Sequence, residues 1–475
     1  MVRNASQGVI GISERNPHYF QYRGKEILLI TSAELYGAVI NKKFDYKIYL
    51  DTLAAYGFNY TRIYPGAFVE KNDMFGGNVT LAPEDALIVP WARSDEPGYI
   101  GGGNKFDLNK WDPAYFARLR DFLSEAERRG IIVEMCFFNA QYPHCVEYSP
   151  LYKSSNIQGI GSDDDKVFQY RDDPGIFGAQ LSYVEKLITE TNDFDNLIYE
   201  FIDEPTLFRS NAHKAYNWIS ALIDRAVEAE DKLPKKHMLA QQLEIGVDYA
   251  DDDRIALIVT QYVGVASRQI GGVVALNSMY RYGKPIEINE SGYVPVWFQE
   301  HIEEVSRIEA WEFMIGGGAA YNQLNGYFLP SNPSGDHEMN HKIMRGLKRL
   351  RTFLEGFEFA KMTRDNHIVS KVSIGASVNV IAEKGKQYAM YMHHSFPNFG
   401  KLYQYYYDPN FGEFEPTLTI KIEKGGYTVT FVDPATLDEI GRAKISSDGG
   451  DLKLVCPRYH LDLAVKIISD DKEEK

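Results

Sequence analysis

The sequence has little cysteine, more acidic than basic residues, and no long apolar run. Its three cysteines, Cys136, Cys145 and Cys456, show no CxxC spacing, which excludes a disulfide framework and a thiolate zinc site. Lys and Arg number 51 against 66 Asp and Glu, a net charge of −15 at pH 7, and such a surface repels the phosphates of nucleic acids. No stretch approaches the roughly 18 apolar residues of a membrane-spanning helix. We therefore expect neither nucleic acid nor a membrane as a partner.

The start of the chain also lacks the apolar core of a signal peptide. The expected location is therefore the cytoplasm, or outside the cell if a leader segment has been removed. With 44% hydrophobic and 25% charged residues among 475, the composition is typical of a globular protein. That length suits a barrel of about 250 residues or more with insertions, followed by an accessory domain.

Short apolar runs alternate with amphipathic segments between residues 27 and 356. Eight of the runs read as buried strands: Ile27–Thr31, Tyr60–Tyr64, Ile131–Phe138, Leu197–Phe201, His237–Gln241, Ile255–Thr260, Ile286–Ile288 and Ala319–Gln323. Eight strands that alternate with helices predict an α/β fold, the (β/α)₈ TIM barrel.

The pattern changes near Met362, where short β-prone runs replace the strand and helix alternation. Turns such as Lys424-Gly425-Gly426 separate these runs, which is typical of antiparallel sheets. We therefore predict a barrel with an N-terminal β-hairpin over residues 1–366. A small all-β sandwich is predicted over residues 367–475.

Two glutamates follow predicted barrel strands. Glu204 lies just past the fourth strand, in the segment Asn196–Pro205, and Glu290 lies at the end of the seventh, in Lys284–Gly292. The C-terminal ends of barrel strands carry the catalytic groups of such folds. Two carboxylates at one barrel mouth suit retaining glycoside hydrolysis, in which one protonates the leaving oxygen and the other attacks the anomeric carbon, about 5–5.5 Å apart.

These segments resemble clan A of the glycoside hydrolases, the cellulase-like retaining enzymes, whose fourth strand ends in Asn-Glu-Pro and whose seventh ends in Glu. The segment Gly57–Arg62 (GFNYTR) is similar to the GxNxxR of the clan, and Gly24-Lys25 is similar to its opening hairpin. Gly316–Phe328 and Tyr427–Pro434 look like the apiosidase-like branch, in which a small sandwich follows the barrel.

The resemblance implies a glycoside or oligosaccharide as substrate, with no cofactor and no metal. It makes Glu290 the nucleophile and Glu204 the acid/base, with Arg62 and Tyr262 orienting the nucleophile. Five further residues just after or near strand ends are candidates for contacts to sugar hydroxyls: Glu34, Tyr36, Asn139, Gln261 and Asn322. For each of them, a hydrogen bond within the protein is an equal alternative.

One position departs from the clan, because Asp203 stands where its members have Asn. The Asn usually donates to the sugar 2-hydroxyl, whereas an ionised Asp only accepts. Its negative charge would also help to keep Glu204 protonated as a general acid. Asp203 as the acid, or Glu287 as the nucleophile, are rival hypotheses, which the alternation of side chains along a strand disfavours.

A metal-binding motif also occurs, since His337-Glu338-Met339-Asn340-His341 matches HExxH. It follows the turn Asn332–Asp336, however, where Asp336 looks like a helix N-cap, so an ordinary helix start is the favoured interpretation. The chain is thus predicted to be a retaining glycosidase. A non-catalytic carbohydrate-binding barrel, or a zinc peptidase that uses His337 and His341, are the alternatives.

Overall fold

The computed structural model describes residues 2–35, 37–69, 85–139, 145–161, 171–205, 211–244, 246–260, 272–294, 301–397 and 407–471.

Three short antiparallel strands come first in the chain. The first strands are β1 (Gly11–Ile12), β2 (Phe20–Tyr22) and β3 (Lys25–Ile27). A two-residue turn, Arg23-Gly24, joins β2 to β3, and both residues have positive φ (50° and 77°), as a type I′ hairpin turn requires. Strands β2 and β3 thus pair as an antiparallel hairpin before the first barrel strand.

Eight parallel strands then form the barrel. The next strands along the chain are β4 (Leu29–Thr31), β5 (Tyr60–Ile63), β6 (Trp91–Pro97), β7 (Asn104–Trp111), β8 (Ile132–Asn139), β9 (Leu197–Asp203), β10 (Met238–Gln242), β11 (Leu257–Val259), β12 (Ile286–Val294) and β13 (Ala320–Asn325). The barrel sheet has the order β4-β13-β12-β11-β10-β9-β8-β5, and β6 and β7 pair with each other outside it. All eight predicted strands are present. Only the seventh differs in a way that matters, because it continues past Ile288 and contains Glu290.

Helices connect and cover these strands. Among the described residues they are α1 (Tyr46–Ala55), α2 (Pro113–Arg128), α3 (Pro174–Thr191), α4 (Ala212–Glu230), α5 (Gly272–Met279), α6 (Ile302–Ile315) and α7 (Glu338–Glu355). Short 3₁₀ helices occupy Val146–Tyr148, Lys153–Ser155, Tyr280–Tyr282, Phe359–Lys361 and Asn366–Ile368. Helices α1 to α4 each begin after a side chain that accepts backbone N–H groups of the first turn, namely Asp45, Asp112, Asp173 and Asn211. In the described part of the chain, no helix combines the length and the apolar character needed to cross a membrane.

The remaining strands form the antiparallel sandwich. They are β14 (Thr363–Arg364), β15 (Val369–Val372), β16 (Ser377–Glu383), β17 (Gln387–His393), β18 (Phe396–Pro397), β19 (Tyr407–Asp408), β20 (Thr417–Lys421), β21 (Gly425–Val432), β22 (Glu439–Ser447), β23 (Asp451–Val455) and β24 (Asp462–Ser469). One sheet has the order β14-β16-β17-β24-β21-β22 and a second the order β15-β20-β23, while β18 and β19 pair with each other outside both. Both predicted fold types are confirmed. The boundary between residues 366 and 367 stays a prediction, and β14, just before it, already pairs with β16.

Helix α6 is shared by the barrel and the sandwich. Every side chain from Val305 to Ile315 is buried, so no face of this part of the helix meets water. Toward the sandwich, the Arg307 guanidinium donates to both carboxylate oxygens of Asp462 on β24, at 2.9 and 3.2 Å. The Tyr391 hydroxyl donates to the same carboxylate at 2.9 Å. A buried ion pair with this many hydrogen bonds fixes the position of the helix against the sandwich.

We expect Asp462→Ala to lower the free energy of unfolding by about 3–5 kcal/mol, because it leaves the Arg307 charge buried without its partner. Asp193→Ala serves as a control, since it removes an equally bidentate but exposed pair with Arg120 and should cost less than about 1 kcal/mol. Urea unfolding of both variants measures the difference. Equal losses of stability would show that burial of the Arg307 pair has no special consequence.

Candidate active site

Glu204 lies at a sharp change of backbone direction at the end of β9. Its φ angle is +50°, in the left-handed region that a glutamate rarely adopts, and only 1% of the residue is exposed. Its backbone N–H donates to Oε1 of Gln242 at the end of β10, at 2.8 Å. Such a backbone conformation costs about 1–3 kcal/mol and persists where the surroundings enforce it, typically at functional sites.

Glu290 also lies at a break in regular strand geometry. The pairing of β12 with β13 matches Ile288 to Tyr321 and Ser291 to Gln323. Two residues of β12 therefore face a single residue of β13, which is the definition of a β-bulge. Glu290 is the second of these two residues and is 6% exposed. The bulge lies toward the C-terminal end of the strand, at the end of the barrel where Glu204 also lies.

The side chain of Asn322 satisfies backbone groups around this bulge. Its Nδ2 donates to the carbonyl of Asn289 at 2.8 Å, and its Oδ1 accepts from the backbone N–H of Ala33 at 2.9 Å. Because one side chain joins β12, β13 and the end of β4, Asn322 has a structural role here. A contact to substrate stays a prediction for this residue.

Arg62 on β5 brings the acidic residues of the site together. Its guanidinium donates to Glu200 from Nε at 2.8 Å and from Nη2 at 2.6 Å, and from Nη2 to Oδ1 of Asp203 at 3.0 Å. Its Nη1 lies 3.6 Å from Oε2 of Glu290. Burial opposes the charge of Arg62, but Glu200, then Tyr64 and Asp203, outweigh it and raise the pKa of Arg62 above its usual range. Arg62 is therefore a permanent cation beside Glu290. Its shortest hydrogen bonds are donated to Glu200 and Asp203 on β9.

The contacts of Arg62 show that side-chain alternation fails at the end of β9. Glu200 and Asp203 are three residues apart, so a regular strand would turn them to opposite faces, yet both bind the same nitrogen of Arg62. The parity argument against Asp203 as the acid therefore loses its basis. The contact with Arg62 gives a geometric reason in its place, because Oδ1 of Asp203 is already bound to the guanidinium. Glu204 is the better candidate for the general acid.

Glu200 is a site residue that the sequence analysis missed. Its second carboxylate oxygen accepts from Nδ2 of Asn289 at 3.0 Å, so Glu200 links Arg62 to the residue that precedes Glu290. Burial raises the pKa of Glu200, and Arg62 opposes that rise. A signal existed in the sequence, since Glu200 interrupts the apolar run LIYEF and a charge inside such a strand requires a buried partner.

Two more glutamates meet deeper in the barrel at Tyr60. The Tyr60 hydroxyl contacts the Glu134 carboxyl and lies 2.5 Å from Oε1 of Glu287. One hydroxyl hydrogen cannot satisfy two carboxylates, so the pair holds a proton of its own. Burial raises the pKa of Glu287 to about 8, and burial followed by Glu287 raises the pKa of Glu134 well above its usual range. Glu287, the rival nucleophile, is thus occupied with Tyr60 and poorly ionised.

Of the remaining residues predicted to contact the substrate, the structure describes two and leaves three outside the described ranges. The Glu34 carboxylate accepts the backbone N–H groups of Gly37 at 2.9 Å and Ala38 at 3.2 Å. Asn139 is buried at the end of β8, in register with Asp203 on β9. The other three predicted site residues, Tyr36, Gln261 and Tyr262, lie outside the described residues. Substrate binding stays a prediction for all five.

The HExxH segment does not form a metal site. His337, and not Asp336 as predicted, is the N-cap of α7, and its ring stacks on Tyr327 with a centroid distance of 4.2 Å. The His341 ring bonds Asp336 at 2.8 Å through Nε2 and the Tyr56 hydroxyl at 2.7 Å through Nδ1. Because the two histidines have separate partners, the zinc peptidase hypothesis is not favoured. No group of His, Cys, Asp or Glu that could hold a metal ion is found within the described ranges.

Neither a scan of models of protein families nor a search of curated proteins finds a match. Solved structures do resemble the chain. A candidate glycoside hydrolase from Bacteroides vulgatus ATCC 8482 is 15% identical with a TM-score of 0.62, over 98% of this chain and 83% of that one. A glycoside hydrolase of family 5 from the same organism is 10% identical with a TM-score of 0.63, over 98% and 94%.

A third structure, described as a glycoside hydrolase, is 10% identical with a TM-score of 0.60 over 98% of both chains. The likeness covers nearly the whole chain and shows that the fold is shared. The resemblance to glycoside hydrolases is confirmed at the level of the fold. The assignment to the apiosidase-like branch stays a prediction.

The raised pKa of Glu287 predicts a pH-dependent stability. The native carboxyl keeps its proton up to about pH 8, whereas the unfolded chain releases it near pH 4.5, so folding stability falls as the pH rises across this window. Glu287→Gln has no such proton to lose. Between pH 5 and pH 9 the variant should gain roughly 2–4 kcal/mol relative to the wild type, as urea unfolding at several pH values would measure.

Glu96→Gln is the matched control, because this side chain is exposed and pairs only with Lys105 among the described residues. Its stability should follow that of the wild type at every pH. If the free energy of unfolding changed with pH in the same way for Glu287→Gln and the wild type, Glu287 would be ionised in the native barrel.

Proposed function

We propose that the protein is a retaining glycoside hydrolase that cleaves a β-type glycosidic bond by double displacement. The observation that carries this proposal is the pair of buried carboxyl groups, Glu204 and Glu290, at the same end of one barrel, with the cation of Arg62 beside Glu290. The resemblance to clan A and the shared fold with structures described as glycoside hydrolases support it. The substrate is accordingly a glycoside or an oligosaccharide.

In the first displacement, Glu290 attacks the anomeric carbon while Glu204 donates a proton to the leaving oxygen. The glycosidic bond breaks, the leaving group departs as an alcohol, and a covalent glycosyl ester forms on Glu290. Arg62 supports this step because a guanidinium 3.6 Å away favours the ionised, nucleophilic form of Glu290. The hydrogen bonds that Arg62 donates to Glu200 and Asp203 keep the guanidinium in place during the step.

In the second displacement, Glu204 accepts a proton from a water molecule, whose oxygen attacks the anomeric carbon and releases Glu290. Each displacement inverts the configuration at the anomeric carbon, so the two together retain it. Each step uses side chains alone, and the proposal assigns no cofactor or metal to the reaction.

Asp203 has a further role in this proposal. One of its carboxylate oxygens binds Arg62, while Oδ2 is buried without a hydrogen-bond partner among the described residues. A buried acceptor without a partner is costly, and a substrate hydroxyl would satisfy it. Asp203 therefore both anchors the cation and accepts a hydrogen bond from the sugar. We keep Glu34, Tyr36, Asn139, Gln261, Tyr262 and Asn322 as further proposed contacts.

Substitution of the two carboxylates tests the reaction. Glu290→Ala should lose nearly all activity on aryl β-glycosides, because no covalent intermediate forms. Glu204→Ala should lose about 10²–10⁴-fold on unactivated glycosides but retain glycosylation by activated aryl glycosides, whose leaving groups need no protonation. Added azide needs no general base, so it should restore turnover of Glu204→Ala and give a glycosyl azide of retained configuration, which NMR of the product would identify.

Glu185→Ala, which removes an exposed carboxylate on α3, should match the wild type. Full activity of Glu204→Ala on an unactivated glycoside, or azide rescue of Asp203→Ala in its place, would contradict the assignment of the acid/base. A wild type that binds oligosaccharides but hydrolyses none would point to the non-catalytic barrel.

A further inference from the structure

A hydrogen-bonded cluster lies behind the bulge that carries Glu290. The hydroxyl of Ser291, the next residue, donates to the carboxylate of Glu309 on α6. The Tyr321 hydroxyl on β13 lies 3.0 Å from the same Glu309 oxygen and 2.9 Å from Oγ of Ser291. From β13, Nε2 of Gln323 donates to the carbonyl of Ser291 at 2.9 Å. Side chains of one helix and one neighbouring strand therefore hold both the backbone and the side chain of Ser291.

The bulge makes these contacts necessary. A bulge interrupts the ladder of backbone hydrogen bonds, so its backbone geometry is not fixed by strand pairing alone. On β12, the carbonyl of Asn289 is bound by Asn322 and that of Ser291 by Gln323. Glu290 lies between these two anchored residues. The direction of its side chain depends on both anchors.

Glu309 is the part of this cluster that the strands do not supply. It is 3% exposed, and burial raises its pKa to about 7 while the hydrogen bonds of Ser291 and Tyr321 oppose that rise. A carboxyl is costly to bury unless its hydrogen bonds are made, so Glu309 favours one arrangement of these two hydroxyls. A residue that only filled space would not require a carboxyl group that binds two hydroxyl groups.

The sandwich holds the other side of α6. Glu312, one turn beyond Glu309, accepts hydrogen bonds from Nε2 of His393 at 3.1 Å and from the Tyr407 hydroxyl. Arg307 binds Asp462 as described above. The Arg307–Asp462 pair holds α6 against the sandwich independently of Glu312, so the helix offers Glu309 to Ser291 from a fixed position. Glu312 has no corresponding contact with β12 among the described residues.

We propose that Glu309 is a positioning residue that fixes the bulge of β12, through Ser291 and Tyr321, so that Glu290 is held where it attacks. The inference rests on the proposed function, since Glu309 acts through the nucleophile that function assigns. Displacement of a reacting group by about 1 Å costs on the order of 10²-fold in rate, so loss of this support should affect turnover more than binding.

Kinetics on an aryl β-glycoside test the proposal. Glu309→Ala should lower kcat about 10–100-fold with KM changed by less than about 3-fold. Glu309→Gln keeps an oxygen that accepts a hydrogen bond and should remain within about 5-fold of the wild type. Tyr321→Phe, which removes one hydroxyl without opening a cavity, should lower kcat about 3–10-fold and serves if the alanine variant does not fold.

Glu312→Ala is the matched control, because it removes a buried carboxylate of the same helix that faces the sandwich instead of β12. It should lower the thermal unfolding midpoint at least as much as Glu309→Ala and leave kcat near the wild-type value at a temperature where the protein is folded. Equal losses of kcat in Glu309→Ala and Glu312→Ala, or wild-type kcat in Glu309→Ala, would overturn the proposal.

Crystal structures give a readout that does not depend on activity. Residues 289–291 should shift relative to β13 in Glu309→Ala and should superpose on the wild type in Glu309→Gln. An unchanged bulge in Glu309→Ala overturns the positioning role even if kcat of the variant falls. A wild type that hydrolyses no glycoside rejects the proposed function instead, while the structural comparison still decides whether Glu309 fixes the bulge.

Discussion

The interior of the barrel depends on the positive charge of Arg62. Five acidic side chains are buried within or at the end of the barrel strands near this one guanidinium: Glu134, Glu200, Asp203, Glu287 and Glu290. A single cation cannot balance them all, so the cluster divides into two parts. Glu200, Asp203 and Glu290 lie against Arg62, whereas burial raises the pKa of Glu287 and of Glu134 around Tyr60, so these two favour their protonated forms. The cation therefore lies beside the candidate nucleophile at the barrel mouth, and the protonated carboxyl groups lie deeper in the core.

Much of this architecture could be predicted, because burial in a parallel barrel produces apolar runs that are visible in the sequence. Glu204 and Glu290 could also be found, since they follow such runs. Glu134 and Glu200 were missed although each stands inside an apolar run, where an acidic residue requires a buried partner. Glu309 offered no comparable signal, because its contact with Ser291 exists only once α6 packs against β12.

Both candidate catalytic carboxylates lie where regular backbone geometry ends, Glu204 at a positive φ and Glu290 in a bulge. Regular alternation would limit each strand to one inward position in every two. At these irregular ends, groups from β9 and β12 meet the guanidinium of Arg62 on β5. For the same reason, a parity argument from the sequence fails at these positions, where local strain overrides the two-residue period.

The burial of α6 on all sides has an evolutionary consequence. Accessory domains are often exchanged between catalytic domains by recombination, which succeeds when few contacts cross the boundary. Here one helix belongs to both cores, since Trp311 packs against Phe353 of α7 and Tyr391 of the sandwich. A barrel that acquired a foreign sandwich would meet it with mismatched partners for Arg307 and Glu312. Exchange of the sandwich alone would leave the buried charges of α6 without the partners that Asp462, His393 and Tyr407 provide.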